Sequence, residues 1–271
     1  MEFPVKIIAR GFFPESNIHF HRQDFPPLSP ETQRLVTATW EQELARNPHL
    51  RAGPILAAQR IEQRGDELII HGGESRYDLF MGTTAHEQVP DESCHRAIGV
   101  MCVTLTKDGH YVFGRRSLTI DWGGLTHVVP AGRMGINTTN PYAAIRAEAK
   151  EELGLESHDF TSLVCVGVIG DLTSGRKNFE FVFLGGVNLT LEALWSRAKG
   201  AKSATEHSQL DVVSWDEDSL VRCLTANPNR WVPTGWVGTA LATRTLEYVP
   251  FEPSPRTYEQ HMALAGMPVK K

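Results

Sequence analysis

The chain has 271 residues, 41% of them hydrophobic, with 27 basic and 32 acidic side chains mixed along its length and a net charge of −5. That is enough apolar material for one large or two small domains, without the basic stripe of a nucleic-acid binder. No stretch approaches 18 apolar residues, the first residues lack a leader pattern, and Cys94, Cys102, Cys165 and Cys223 lack zinc-like spacing, so a soluble cytoplasmic protein with reduced thiols and no membrane partner is expected.

Residues 1–93 read as an α+β region that shapes a substrate site. Val5 to Ala9 is a short strand, and Phe12, Phe13, Phe20 and Phe25 lie among prolines, as an irregular segment packed on the surface would. Ser29-Pro30-Glu31 starts a helix, with serine as N-cap and proline at the first helical position. Leu35, Val36, Trp40 and Leu44 give it one apolar stripe, and Asn47-Pro48 ends it. Ile55 to Ile61 and Glu67 to His71 pair as a hairpin across Arg64-Gly65-Asp66. The stretch from Glu74 to Thr84 mixes aromatic and hydrogen-bonding side chains, which suits either a nucleotide base or a core.

Residues 94–250 hold the chemistry. Ile98 to Thr106 and Tyr111 to Arg116 flank the turn Lys107-Asp108-Gly109-His110, and Arg115-Arg116 at the strand end can meet phosphate or solvent. Thr126 to Val129 leads into Pro130-Ala131-Gly132-Arg133, a loop, and a helix from Pro141 that stops at Gly154. On that helix Glu148, Glu151 and Glu152 stand at i, i+3 and i+4, so three carboxylates crowd one face. They form either a solvated acidic face or a hard-oxygen site for Mg²⁺ or Mn²⁺. Leu163 to Ile169, Phe179 to Gly186 and Leu210 to Trp215 are strands; Leu189 to Lys199, Asp216 to Leu224 and Trp236 to Tyr248 are helices; residues 251–271 form a loosely held tail. Hairpins mixed with longer connections around a helix indicate an α/β sandwich on a mixed sheet.

Gly132 followed by Glu148, Glu151, Glu152, Gly154 and Leu155 resembles a Nudix box, G-x5-E-x7-R-E-U-x-E-E-x-G-U. Ala147 replaces its arginine, threonines (Thr138, Thr139) replace its loop glutamate, and counting forward from Gly132 puts an arginine at 146 in a loop one residue longer. The stretches 37–44, Ser75-Arg76-Tyr77-Asp78 with Gly82-Thr83, Thr173-Ser174-Gly175-Arg176 and Phe179-Glu180-Phe181 resemble the branch that hydrolyses UDP-glucose and UDP-galactose, where the arginine is also lost. The resemblance implies an α/β/α sandwich and Mg²⁺-dependent hydrolysis of a nucleotide-sugar substrate. It implies Glu148, Glu151 and Glu152 as metal ligands, with Glu148 and Glu152 catalytic. The Gly132 carbonyl is a candidate extra ligand, because glycine lets backbone approach an ion closely. Glu180 and Glu206 are candidates for general base or fourth metal carboxylate on their acidity and their place after a strand. Arg176 and Lys177 would meet phosphate, and Tyr77, Phe80 and Thr83 would line the pocket. Arg146, about 100° around the helix from position 147, is expected to face away. Ordering of the glutamates then falls to the metal, Lys150, Arg133 or the longer loop. GDP-mannose, ADP-ribose or a non-catalytic binding scaffold are the alternatives, and the oligomeric state is not fixed by the sequence.

Overall fold

Alternation along Ile98–Val103 decides which helix covers which face of the sheet, because successive strand side chains point to opposite sides. Met101 and Val103 pack among Trp236, Val237 and Leu241 of one helix, while Ile98, Val100 and Cys102 pack among Tyr142, Ala144 and Ile145 of another. The result is an α/β architecture with a curled mixed sheet between helices. A computed structural model describes residues 1–267 of the chain.

The N-terminal elements are β1 (Glu2–Phe3), β2 (Val5–Phe13), β3 (Ile18–Arg22), α1 (Pro30–Arg46), β4 (Pro54–Arg64), β5 (Glu67–Arg76) and α2 (Tyr77–Thr84). The central ones are β6 (Arg96–Leu105), β7 (His110–Arg116), β8 (Thr126–Val128), β9 (Ala131–Arg133) and α3 (Pro141–Leu153). There follow β10 (Phe160–Asp171), β11 (Phe179–Val187), α4 (Leu191–Ala198), β12 (His207–Ser214) and α5 (Glu217–Ala226). Last come α6 (Pro233–Ala242), β13 (Glu252–Pro253) and α7 (Tyr258–Leu264).

Eleven strands form one sheet, its main path running β2-β10-β11-β6-β4-β5-β3, with β7 and β9 pairing with β6, and β8 and β12 pairing with β7. β11 is parallel to β6 and β3 to β5, whereas β2 pairs antiparallel with β10. Residues before and after position 93 therefore share a sheet. The Tyr142 hydroxyl joins the layers, donating to Phe13 O at 2.7 Å and accepting from Cys165 N at 3.0 Å. Ser29 caps α1 by accepting from Thr32 N at 3.1 Å, as its sequence predicts.

Three expectations change. Phe13 is buried within β2 and Phe20 lies in β3, so only part of the expected irregular segment is irregular; Phe25 stacks on His95 at 3.9 Å. The helix expected to reach Tyr248 ends at Ala242, because Arg244 takes the left-handed conformation at φ 61° and breaks the hydrogen-bond ladder. The tail packs through its described part: β13 pairs with β1, and α7 buries Tyr258, His261 and Met262. Its last four residues lie outside the described ones. Among the described residues no helix is long and apolar enough to cross a membrane.

Candidate active site

The acidic helix is held at both ends. Asn140 caps α3 by accepting from Tyr142 N at 2.8 Å, and Gly154 closes it in the left-handed conformation at φ 66°. The loop between α4 and β12 is tied to the end of α3, since Ser203 N donates to Glu151 O at 2.8 Å. Glu206 N then donates to Ser203 O at 2.9 Å, which brings a fourth glutamate to the three on the helix.

Glu148, Glu151 and Glu206 line one cavity of about 430 Å³, and Gly132 forms part of its wall. A Cβ at Gly132 would lie within 2.4 Å of the Glu148 carboxyl carbon and both its oxygens, so glycine is what leaves room for that carboxylate. Burial first, then the charges of Glu152, Glu151 and Glu206, push Glu148 up to about 7. Burial also raises Glu152, which does not line the cavity: its Oε1 accepts Ala131 N at 3.3 Å and its Oε2 is 2.9 Å from His207 Nε2. Glu151 accepts from Lys202 at 2.9 Å.

Arginines share the same cavity. Arg116 donates to Asp121 O at 2.7 Å, Arg176 donates to Asp121 Oδ2 at 2.7 Å, and Arg133 lies 4.9 Å over the Tyr77 ring. Glu180 and Asp171 are also present there. Burial pushes them up to about 8 and about 7, and the Asp171 charge adds to the rise at Glu180. Asn178 donates to Glu180 at 2.7 Å, and a Cβ at Gly99 would fall within 2.8 Å of three atoms of its carboxyl group.

Asp121 and Arg176 also border a second cavity of about 700 Å³. Thr39 and Glu43 of α1, Tyr77 of α2 and Ser174 and Gly175 of the β10–β11 loop meet there, so stretches far apart in sequence converge. Tyr258 of α7 completes this wall, with the Arg176 guanidinium 4.6 Å over its ring.

Of the expected site residues, Gly132, Glu148, Glu151, Glu180, Glu206, Phe80 and Arg176 come together at the smaller cavity, and Tyr77 lines the larger one. Thr83 does neither: it is fully buried, donating to Leu79 O at 2.7 Å and accepting from His95 N at 3.0 Å. Lys177 borders neither cavity. Arg146 does face away, pairing with Glu15 at 3.2 Å. Lys150 and Arg133 do not order the glutamates, since Lys150 pairs with Glu156 at 2.9 Å and Arg133 covers Tyr77 and Phe80. His207, Lys202 and Ala131 N–H make those contacts instead. Asp121, Asp171 and His127 of the smaller cavity and Tyr258 of the larger one carry no sequence pattern; Arg116 at a strand end is the one legible signal.

Among the described residues, no three His, Cys, Asp or Glu side chains stand together so as to hold a metal ion. The reason is local, because Glu151 is drawn to Lys202 and Glu152 to His207. Glu148, Glu151 and Glu206 nevertheless line one cavity, and carboxylate oxygens are the ligands a hard divalent cation takes.

No protein-family model matches the chain, and no curated protein sequence matches it. Part of the chain is similar to solved structures. One is the NUDIX domain of Shewanella oneidensis NrtR complexed with ADP ribose, at 10% identity over 56% of this chain and 88% of that one, TM-score 0.41. A NUDIX hydrolase from Nitrosomonas europaea shows 16% identity over 54% and 87%, TM-score 0.39. A bifunctional NMN adenylyltransferase/ADP ribose pyrophosphatase from Francisella tularensis, complexed with AMP and a manganese ion, shows 15% identity over 56% of this chain and TM-score 0.39; the chain spans 42% of its length.

Proposed function

We propose that the chain is a Nudix-type hydrolase that cleaves the diphosphate of a nucleoside diphosphate sugar, with UDP-glucose or UDP-galactose as substrate and UMP and hexose 1-phosphate as products. One observation carries this reading: Glu148, Glu151 and Glu206 line the same 430 Å³ cavity as Arg116, Arg133 and Arg176. Carboxylates repel a diphosphate unless a cation lies between, whereas guanidinium groups bind it directly in a bidentate manner. A cavity holding both sets suits a diphosphate together with a divalent cation.

Glu148, Glu151 and Glu152, with the Gly132 carbonyl, would hold Mg²⁺ or Mn²⁺. The ion supplies Lewis acidity, offsetting diphosphate charge and acidifying water. Arg176 orients the phosphates from the border between the two cavities. Glu206 or Glu180 accepts the proton of the attacking water; Glu180, raised to about 8, is the weaker candidate at neutral pH because it is then largely protonated. Tyr77 offers its ring to the base, and the 700 Å³ cavity beside it has space for the sugar or nucleoside.

Purified protein with Mg²⁺ and UDP-, GDP- and ADP-linked substrates tests this by chromatography of the products. UMP with glucose 1-phosphate is expected from UDP-glucose; UDP with free glucose refutes attack at the diphosphate. Glu148→Gln should lower the rate by orders of magnitude with the fold intact. A second reading, a nucleotide-sugar binding scaffold, is favoured by the pairing of Glu151 and Glu152 with Lys202 and His207. Tight substrate binding without turnover supports that one.

A further inference from the structure

A third cavity, of about 420 Å³, opens where the start of β7, the end of β12, the first turns of α5 and the chain after α6 meet. None of its lining residues borders the two cavities described above. Trp215 N donates to Gly109 O at 2.8 Å, which fixes the passage from β12 into α5, and Asp216 caps that helix by accepting from Ser219 N at 2.7 Å. The left-handed residue Arg244 ends α6, and Glu247 and Tyr248 of the turn that follows line the same cavity. Tyr111, Leu220 and Thr245 give it buried walls.

The opening is aromatic and acidic at once. Trp215 and Tyr248 are 65% and 57% exposed, and Phe12, 57% exposed, joins them through the Arg244 guanidinium, 5.1 Å over its ring. Of the four exposed aromatic side chains among the described residues, three therefore stand on one surface. Its charges are the carboxylates of Asp216, Glu217 and Glu247 against the guanidinium of Arg244. Among the described residues none of these four takes part in an ion pair. Glu217 lies close enough to Tyr248 for its charge to raise the phenol above its ordinary value.

We propose that this surface docks a lysine- or arginine-bearing segment of a partner protein, apart from the diphosphate chemistry. A cation over the face of a Trp or Tyr ring is attracted by the ring quadrupole, and unpaired carboxylates beside the rings add to that attraction. The excess of carboxylates over guanidinium turns an anion away. Exposed apolar groups rimmed by polar ones mark interaction sites, and Trp and Tyr carry much of the binding energy at interfaces. The cavity has room for a long basic side chain, while Phe12 lies outside its lining and is covered only by a longer ligand. A peptide segment meets both conditions, and a free small cation meets one.

The test titrates acetyl-Gly-Arg-Lys-Gly-amide into the full chain by calorimetry, beside an uncharged peptide with citrulline and norleucine in place of Arg and Lys. The basic peptide should bind at least about tenfold more tightly. Trp215→Ala and the pair Glu217→Gln/Glu247→Gln should each weaken it by about tenfold, whereas Trp215→Phe, which keeps a ring, should cost less than about threefold. Tyr248→Ala is the second ring variant and answers the question if Trp215→Ala does not fold. Agmatine and tetramethylammonium form the third arm and should bind at least about tenfold more weakly than the peptide. Equal affinity for the basic and uncharged peptides overturns the proposal, as does unchanged affinity in the folded ring variants. Loss in the glutamine variants without loss in the ring variants marks general attraction to an acidic chain and overturns it too. Free cations that bind as tightly as the peptide overturn the partner segment in favour of a small-molecule ligand.

Discussion

Replacing Gly132 with alanine places a methyl group where the Glu148 carboxylate now lies. The added carbon would be within 2.4 Å of Cδ and both oxygens of Glu148, whereas ordinary contact begins at 3.4 Å, so the carboxylate must retreat by about 1 Å. It can do so, because the displaced atoms are the end of a flexible side chain and not backbone. Stability should therefore change by less than about 1 kcal/mol. Turnover should not survive so well, since a misplacement of about 1 Å in a catalytic site can cost on the order of 10²-fold, or roughly 2.7 kcal/mol in the barrier. The assay is release of UMP from UDP-glucose at saturating Mg²⁺, with a thermal melt of the same preparation. Turnover within threefold of wild type, with the melt unchanged, refutes the assignment of Glu148 to the metal end of the cavity. A collapsed melt refutes the claim that only a side chain has to move.

Other outcomes follow from the same geometry. Arg146→Ala removes a contact with Glu15, neither residue lining the cavity, and should change turnover by less than about tenfold, equivalent to roughly 1.4 kcal/mol; a loss matching Glu152→Gln would contradict the register of α3. Tyr142→Phe leaves Phe13 O and Cys165 N without their hydroxyl partner and should cost about 2 kcal/mol in urea unfolding; a change below about 0.5 kcal/mol would show that the hydroxyl does not join the layers. Glu180 and Asp171 are raised to about 8 and about 7 from ordinary values of 4.5 and 3.8, so the folded chain holds protons that the unfolded chain releases. Stability in chelator should then fall as pH rises from about 6.5 through 8, above the range in which the buried His95, His127 and His261 would take up protons on unfolding, and Glu180→Gln should flatten that fall. A melting temperature that climbs across this window contradicts the burial of these groups.

Sequence alone determined the elements whose signal is local. Ser29-Pro30 and Asn140-Pro141 start helices through short-range capping, Gly154 ends one, and the 3.6-residue repeat puts Glu148, Glu151 and Glu152 on one face. Position 146 was legible as outward for the same reason, because a helical residue's direction follows from its register. What the fold alone decided are contacts between residues far apart in the chain. Thr83 looked like part of a pocket by composition, yet its hydroxyl is used up on Leu79 and His95 in the interior. The tail looked loose because prolines give no periodic signal, while α7 packs Tyr258 and Met262 against Trp122 and Leu125. His207 reaches Glu152 across 55 residues, through a register shift in β12 and the space left by Gly114. Neither feature has a sequence signature, since strand register and the room beside a glycine are set by the partner strand, and that partner is chosen only when the sheet assembles.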